Sequence, residues 1–160
     1  MSLRKSLFYG FLVLIVLVGQ QVVNRDLVEG VPPKVHGAVI NNKVPWEGAI
    51  EGPGVIYFWA SWCGICQSIQ GTMSDVLVQM SGMTVAVKSG SNEDVQKYLK
   101  KSELDWPVVN DADGAIGDAF GIRGVPTIFV IGPSGKIKFT AVGYTSAIGL
   151  QLRLWLAGFE

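Results

Sequence analysis

Only two cysteines occur in the 160 residues, and they stand three positions apart, Cys63 and Cys66 in "WCGIC". Sulfur at this spacing suits four chemistries. A structural staple gains most when it closes a long loop, and a bridge from Cys63 to Cys66 closes almost none. A tetrahedral zinc site wants four ligands. The only other conventional nitrogen ligand is His36, far away in sequence. Cu(I) accepts two soft thiolates, and that reading stays open on these residues. A dithiol/disulfide pair that cycles between oxidised and reduced forms fits the spacing best.

The flanking segments must position the pair. "GVIYFWA", Gly54 to Ala60, is a short apolar run of β-branched and aromatic residues after the turn signal "EGPG". It reads as a buried central strand. After the cysteines, Ile69, Met73, Val76, Leu77 and Met80 recur at three- and four-residue steps, the stripe of a helix facing a core. Gly71 weakens that helix locally and marks a possible kink. The pair thus sits where a buried strand hands over to a helix N-terminus. Unpaired N–H groups and partial positive charge there stabilise a thiolate. Cys63 is the expected nucleophile, with a thiol pKa below the free value of about 8.5. Cys66, one turn further in, is the expected buried resolving thiol.

The alternation continues along the chain. "MTVAVKS" reads as a second strand. "SNEDVQKYLKKS" reads as a helix with Ser91 as N-cap and Asp94 three residues on. A short extended piece, "WPVVND", precedes a short helix in "DGAIGDAFGI". "VPTIFVIG" and "KIKFTAVGY" flank the turn residues Pro133, Ser134 and Gly135, so they are expected to pair antiparallel. "SAIGLQLRLWLAGF" closes the chain as an amphipathic helix, and "KVHGAVINNKVPW" forms a small hairpin around Asn41 and Asn42. This pattern predicts an α/β mixed sheet with both faces covered. "SGSNED" lacks the Gly-Lys-Ser/Thr ending of a phosphate-binding loop. His36 reads as a surface residue, and Trp46 and Trp155 as packing residues. Trp62, just before the nucleophile, reads as part of an apolar substrate platform.

Charge is balanced, with 13 basic and 13 acidic residues, and shows no clustered Lys/Arg footprint for nucleic acid. The mean hydropathy is positive, and part of the excess lies at the N-terminus. Arg4 and Lys5 precede an apolar run from Leu7 to Gly19, and Val22 and Val23 extend it. From Ser6 to Val23 the stretch approaches the ~20 residues a membrane-crossing helix needs. The two cations predict that this end stays in the cytoplasm. A cleaved signal is the rival, but cutting after Gly19 places Leu17 where a small residue is wanted. An uncleaved signal anchor is therefore expected over residues 1–24, a linker over 25–34 and a single domain over 35–160. Everything after Asn24 is exported, into a compartment where a disulfide can form and persist.

These residues resemble a known superfamily. Trp59, Ala60, Trp62 and the Cys63–Cys66 pair are similar to the active-site stretch of the thioredoxin superfamily. "RGVPTIFVI" resembles its second landmark, where a cis proline before a strand faces the disulfide. The N-terminal anchor, the hairpin and the extra helix at Asn92 to Lys101 resemble the TlpA/ResA/DsbE branch. More narrowly, "VVNDADGAIGDAFGIRGVPTIFVI", "VGYTS" and "LRLWLAG" resemble ScsD-type proteins, associated with suppression of copper sensitivity. The resemblance implies a thioredoxin-like mixed β-sheet flanked by helices, behind an N-terminal transmembrane helix and β-hairpin. It implies a cis Val125–Pro126 bond against Cys63, with the Val125 backbone pairing with an extended substrate. It implies a thiol–disulfide oxidoreductase, single-pass in the bacterial inner membrane with its catalytic domain in the periplasm. Its partners would be protein substrates bearing thiols or disulfides and a second thiol–disulfide protein that recharges the pair. No metal or organic cofactor is required. The rival from another class is a copper-tolerance module holding Cu(I) on the same two thiolates.

Two departures stand out. Many thioredoxin-like reductases carry a buried acid six residues before the first cysteine, where this chain has Tyr57. Relatives in the TlpA/ResA branch often carry Glu six residues after it, where this chain has Ile69. The proton acceptor that would help deprotonate Cys66 is missing at both places. Gly64 and Ile65 also replace the proline-containing loop of many relatives, and this loop governs thiol acidity and redox potential.

Overall fold

The computed structural model describes residues 8–9, 26–37, 39–40, 46–48 and 53–158. The expected membrane segment and the Asn41–Asn42 turn lie outside these residues, apart from Phe8 and Tyr9. Among the described residues no helix is long and apolar enough to cross a membrane.

The elements run in chain order β1 (Val35–Gly37), β2 (Trp46–Gly48), β3 (Gly54–Trp59), α1 (Gly64–Ser68), α2 (Gln70–Gln79), β4 (Ser81–Val87), α3 (Asn92–Lys101), β5 (Val108–Asp111), α4 (Ala115–Ala119), β6 (Thr127–Ile131), β7 (Ile137–Val142) and α5 (Ala147–Ala157). β1 and β2 form an antiparallel pair. The main sheet has the order β5-β4-β3-β6-β7. β3, β4 and β5 run parallel, while β6 is antiparallel to both β3 and β7. The strand before the cysteines is thus the centre of the sheet, as its unbroken apolar run requires.

Successive side chains of a strand point to opposite faces, and β3 shows how the two cores divide. Val55, Tyr57 and Trp59 face one side, with both cysteines, Ile69, Met73 and Val76 of the cysteine-side helices, Val95 and Leu99 of α3, and Leu150 of α5. Ile56 and Phe58 face the other, with Phe120 and Phe129. Each fully buried side chain of this size contributes roughly 1.5–3 kcal/mol of transfer free energy.

Much of the second face is covered by the N-terminal stretch. Leu27, Val35 and Val39 pack into that core. The Ile137 N–H donates to the Gly30 carbonyl (2.7 Å) at the β7 edge, and the Ile40 N–H donates to the Val108 carbonyl (2.7 Å) at the β5 edge. The described residues between Asp26 and Ile40 therefore form a belt from one edge of the sheet to the other. The stretch read as a linker is in contact with the domain from Asp26 onward. Gly121 makes this possible: its φ is +69°, and a Cβ there would overlap the Asp26 carbonyl.

Local signals account for most boundaries. The Ser91 hydroxyl accepts from the Asp94 N–H, and the Asp94 carboxylate accepts from the Ser91 N–H. These hydrogen bonds, the backbone one foremost, hold the Asp94 carboxyl below its ordinary range. Ser146 caps α5 in the same way through the Gly149 N–H. The break in the cysteine-side helix lies at Ile69, two residues before Gly71. Ile69 is buried, whereas Gly71 is exposed. Seating Ile69 in the core, with its N–H turned to the Cys66 carbonyl three residues back (3.3 Å), interrupts the regular helix. Trp155, expected as a packing residue, is instead exposed.

Candidate active site

β3 ends at Trp59, and the chain turns at once: the Cys63 N–H donates to the Ala60 carbonyl (3.1 Å). Cys63 is the N-cap of α1, with extended backbone, and its Sγ accepts the Cys66 N–H at 3.1 Å. Cys63 and Cys66 are joined as a disulfide, with Cα atoms 5.2 Å apart. Cys63 is 7% exposed and Cys66 1%. An attacking group therefore meets Cys63 first. The sulfur that it meets already faces a backbone donor, which favours negative charge on that atom.

The loop before β6 forms the opposite wall. The Val125–Pro126 bond is cis. The Val125 carbonyl oxygen lies 3.6 Å from Cys63 Sγ, across 62 residues of sequence. Pro126 is buried and its carbonyl accepts the Gly143 N–H (2.8 Å), tying the loop to the end of β7. The Thr127 hydroxyl donates to the Gly124 carbonyl (2.8 Å) and tightens the turn.

Trp62 is 66% exposed beside the disulfide. Its Nε1–H donates to the Lys88 carbonyl (3.0 Å), which holds the ring over a shallow cleft lined also by Val125, Asp118 and Arg123. Sequence reasoning gave no role to Lys88 or to the Ser89 hydroxyl, which accepts the Ser61 N–H (3.0 Å). Lys88 has φ +47°, a left-handed conformation that a non-glycine residue rarely adopts. Nothing in the letters "VKSG" marks it. Asp111 was also missed. Its buried carboxylate accepts the Ile116 and Gly117 N–H groups (3.0 and 2.8 Å) and starts α4, which leads into the Val125 loop. His36 is exposed on β1. Among the described residues no group of three or more His, Cys, Asp or Glu is arranged to hold a metal ion.

Tyr57 and Ile69 occupy the positions where acids were sought, and both are buried in the cluster that holds Cys66. The Tyr57 ring packs edge-on against Trp106 at 5.8 Å, and its hydroxyl has no hydrogen-bond partner among the described residues. Burial, and secondarily the Tyr98 phenol, push that hydroxyl well above its ordinary pKa. It stays protonated at neutral pH and is no base for Cys66. A raised pKa gives stability that is whole below the unfolded phenol's value of about 10 and is lost as pH rises from there. Tyr57→Phe removes a buried, unpartnered hydroxyl. It is expected to add about 1 kcal/mol of stability at pH 7 and to flatten the alkaline loss, both read from urea unfolding at pH 7 and above about pH 10.

Residues 34–140 match the profile of the AhpC/TSA family. The chain belongs to the AhpC/TSA family. Among relatives of this AhpC/TSA chain, a thioredoxin-like protein of Haemophilus influenzae is 33% identical over 108 residues, covering 67% of the chain and 64% of that protein. The thiol-disulfide oxidoreductase ResA of Bacillus subtilis is 30% identical over 99 residues, covering 59% and 55%. The chain thus spans between half and two-thirds of the length of these curated relatives. Among solved structures, a thiol:disulfide interchange protein of the thioredoxin family from Chlorobium tepidum superposes with a TM-score of 0.68 at 25% identity, covering 82% of the chain and 98% of that structure. The fold of this AhpC/TSA chain is thioredoxin-like, a mixed sheet flanked by helices.

Proposed function

We propose that the protein is an extracytoplasmic thiol–disulfide oxidoreductase that exchanges dithiol and disulfide with protein substrates through Cys63 and Cys66. The observation that carries this reading is the disulfide at the start of α1, with Cys63 Sγ facing both the Cys66 N–H and the Val125 carbonyl. In the reducing direction, the Cys63 thiolate attacks a substrate disulfide. The substrate S–S bond breaks, one substrate thiolate leaves, and a mixed disulfide forms. Cys66 then attacks Cys63 Sγ and releases the second substrate thiol. Two electrons pass to the substrate and the Cys63–Cys66 disulfide is restored. Run backwards, the same steps donate a disulfide. Trp62, Val125 and Pro126 form the substrate platform: the indole supplies an exposed apolar face, and the Val125 backbone lies where an extended segment would pair. A second thiol–disulfide protein recharges the pair, and the exchange itself needs no cofactor.

The N-terminal run is read as an uncleaved anchor in the bacterial inner membrane that leaves the domain in the periplasm. The segments shared with ScsD-type proteins support reading the chain as one of that type. The deciding experiment equilibrates the full chain with glutathione redox buffers and, separately, titrates the reduced chain with Cu(I). Reversible two-electron reduction of the pair, with catalysed transfer to a protein disulfide, is expected. A pair that binds Cu(I) tightly yet exchanges with no disulfide would overturn the reading in favour of a copper module.

A further inference from the structure

α5 packs on β6 and β7 through Leu150 and Ala157, and a second apolar face of the helix is largely exposed. Ile148, Leu152, Trp155 and Leu156 lie at helical spacing on that face, with Ile148 80% and Trp155 61% exposed. A single exposed apolar residue is ordinary, but a stripe along a helix marks an interaction surface. We infer that this face of α5 rests on the surface of an anionic lipid bilayer.

Three observations select a bilayer as the occupant. First, charge is segregated. From Thr127 to Gly158 the chain carries Lys136, Lys138 and Arg153 and no Asp or Glu, with Glu160 two residues beyond, in a protein whose total charge is balanced. The Lys138 stem crosses Gly132 beside the last turn of α5: a Cβ at Gly132 would lie 2.9 Å from Lys138 Cγ and 3.4 Å from the Ala157 carbonyl. Glu29 lines the neighbouring groove together with Lys138. Second, the composition is interfacial. Tryptophan and leucine on the helix, with Arg153 beside them and Lys136 and Lys138 at the neighbouring end of β7, suit the boundary between headgroups and acyl chains. Third, the tether is short. Gly30 is fixed to Ile137 at the β7 edge. The six residues from Asn24 to Gly30 span at most about 20 Å, so the edge beside α5 stays close to the membrane. This third point rests on the anchor reading given above.

The surface gives the domain an orientation. The β6–β7 turn lies at the start of β3, where Gly54 pairs with Ile131, and the cysteines follow the other end of β3. With α5 flat on the bilayer, the sheet's long direction lies along the membrane, and Cys63 faces sideways rather than into the lipid.

The test places the full chain in nanodiscs of phosphatidylcholine and phosphatidylglycerol, with or without brominated acyl chains that quench tryptophan on contact. Quenching is expected in the parent chain and is expected to be lost in Trp155→Phe. It is also expected to be lost in an Ile148→Glu/Leu152→Glu double variant that keeps its exchange activity. Quenching that survives Trp155→Phe and disappears in Trp62→Phe would overturn the proposal, because another face would then be docked. Trp155 left unquenched but shielded from iodide as protein concentration rises would assign the face to a second copy and overturn it as well. An alkaline carbonate wash separates the anchor from the surface. A chain that washes off, yet was quenched through Trp155 beforehand, sinks the anchor and keeps the surface. A chain that stays but is not quenched sinks the surface and keeps the anchor.

Discussion

A Cys66→Ala variant is expected to accumulate as covalent adducts with its substrates, joined through Cys63. In the intact protein the resolving sulfur is held within the same turn of helix. Well-oriented intramolecular reactions reach effective molarities of about 10⁵–10⁸ M. External thiol at ordinary buffer concentrations falls short of that by many orders of magnitude. The mixed disulfide should therefore persist on a non-reducing gel and collapse on adding dithiothreitol. Cys63→Ala should form no adducts, because the remaining Cys66 is 1% exposed and lies behind the missing sulfur. Either single variant should reduce catalysed exchange to the background rate. Equal trapping through Cys66, or none through Cys63, would count against the assignment of the nucleophile.

The second large effect concerns Trp59, the residue that ends β3 beneath the pair. It is stacked on Tyr98 of α3 at 5.3 Å and meets Trp106 edge-on at 5.8 Å. Gln70 Nε2 donates to the Tyr98 hydroxyl (2.8 Å) and joins α2 to the same group. Trp59→Ala empties the centre of this cluster and is expected to cost about 3–5 kcal/mol. Set against typical total stabilities of about 5–15 kcal/mol, that leaves a marginal fold. Trp59→Phe is the informative contrast. The indole Nε1–H is buried without a hydrogen-bond partner among the described residues, so removing it offsets part of the lost volume. A cost below about 1.5 kcal/mol is expected. Urea unfolding of both variants checks the pair of values, and a near-neutral alanine would show that the aromatic cluster does not hold α3 to the sheet.

The contrast between these residues shows what a sequence displays and what it conceals. β3 was legible because six consecutive apolar residues leave few alternatives to a central strand. The Ser91 cap was legible because capping depends on residues three positions apart. The cysteines announced themselves by type. Lys88 was illegible, because its left-handed backbone is imposed by neighbours: its N–H donates to the Asp111 carbonyl (2.8 Å) while its carbonyl receives Trp62. Asp111 was illegible for a related reason. A buried carboxylate that caps a helix from five residues upstream carries no short-range signature. The helix break was misplaced because glycine at position 71 was weighed as a local propensity, whereas burial of Ile69 decided the geometry.

The belt of residues 26–40 has a consequence for how the protein is made. A chain synthesised N-terminus first presents the belt before any of its partners exist. Val28 must wait for Phe120, Ile40 for Val108 and Gly30 for Ile137. Contacts so distant in sequence form late, because loop closure precedes their reward. A segment that emerges early thus docks late. Until the belt docks, the edges of β5 and β7 stand open to any passing strand. The hazard of misassembly therefore falls in the interval between the emergence of residue 111 and the docking of the belt, and a pause in synthesis there would be felt as aggregation rather than as lost redox chemistry.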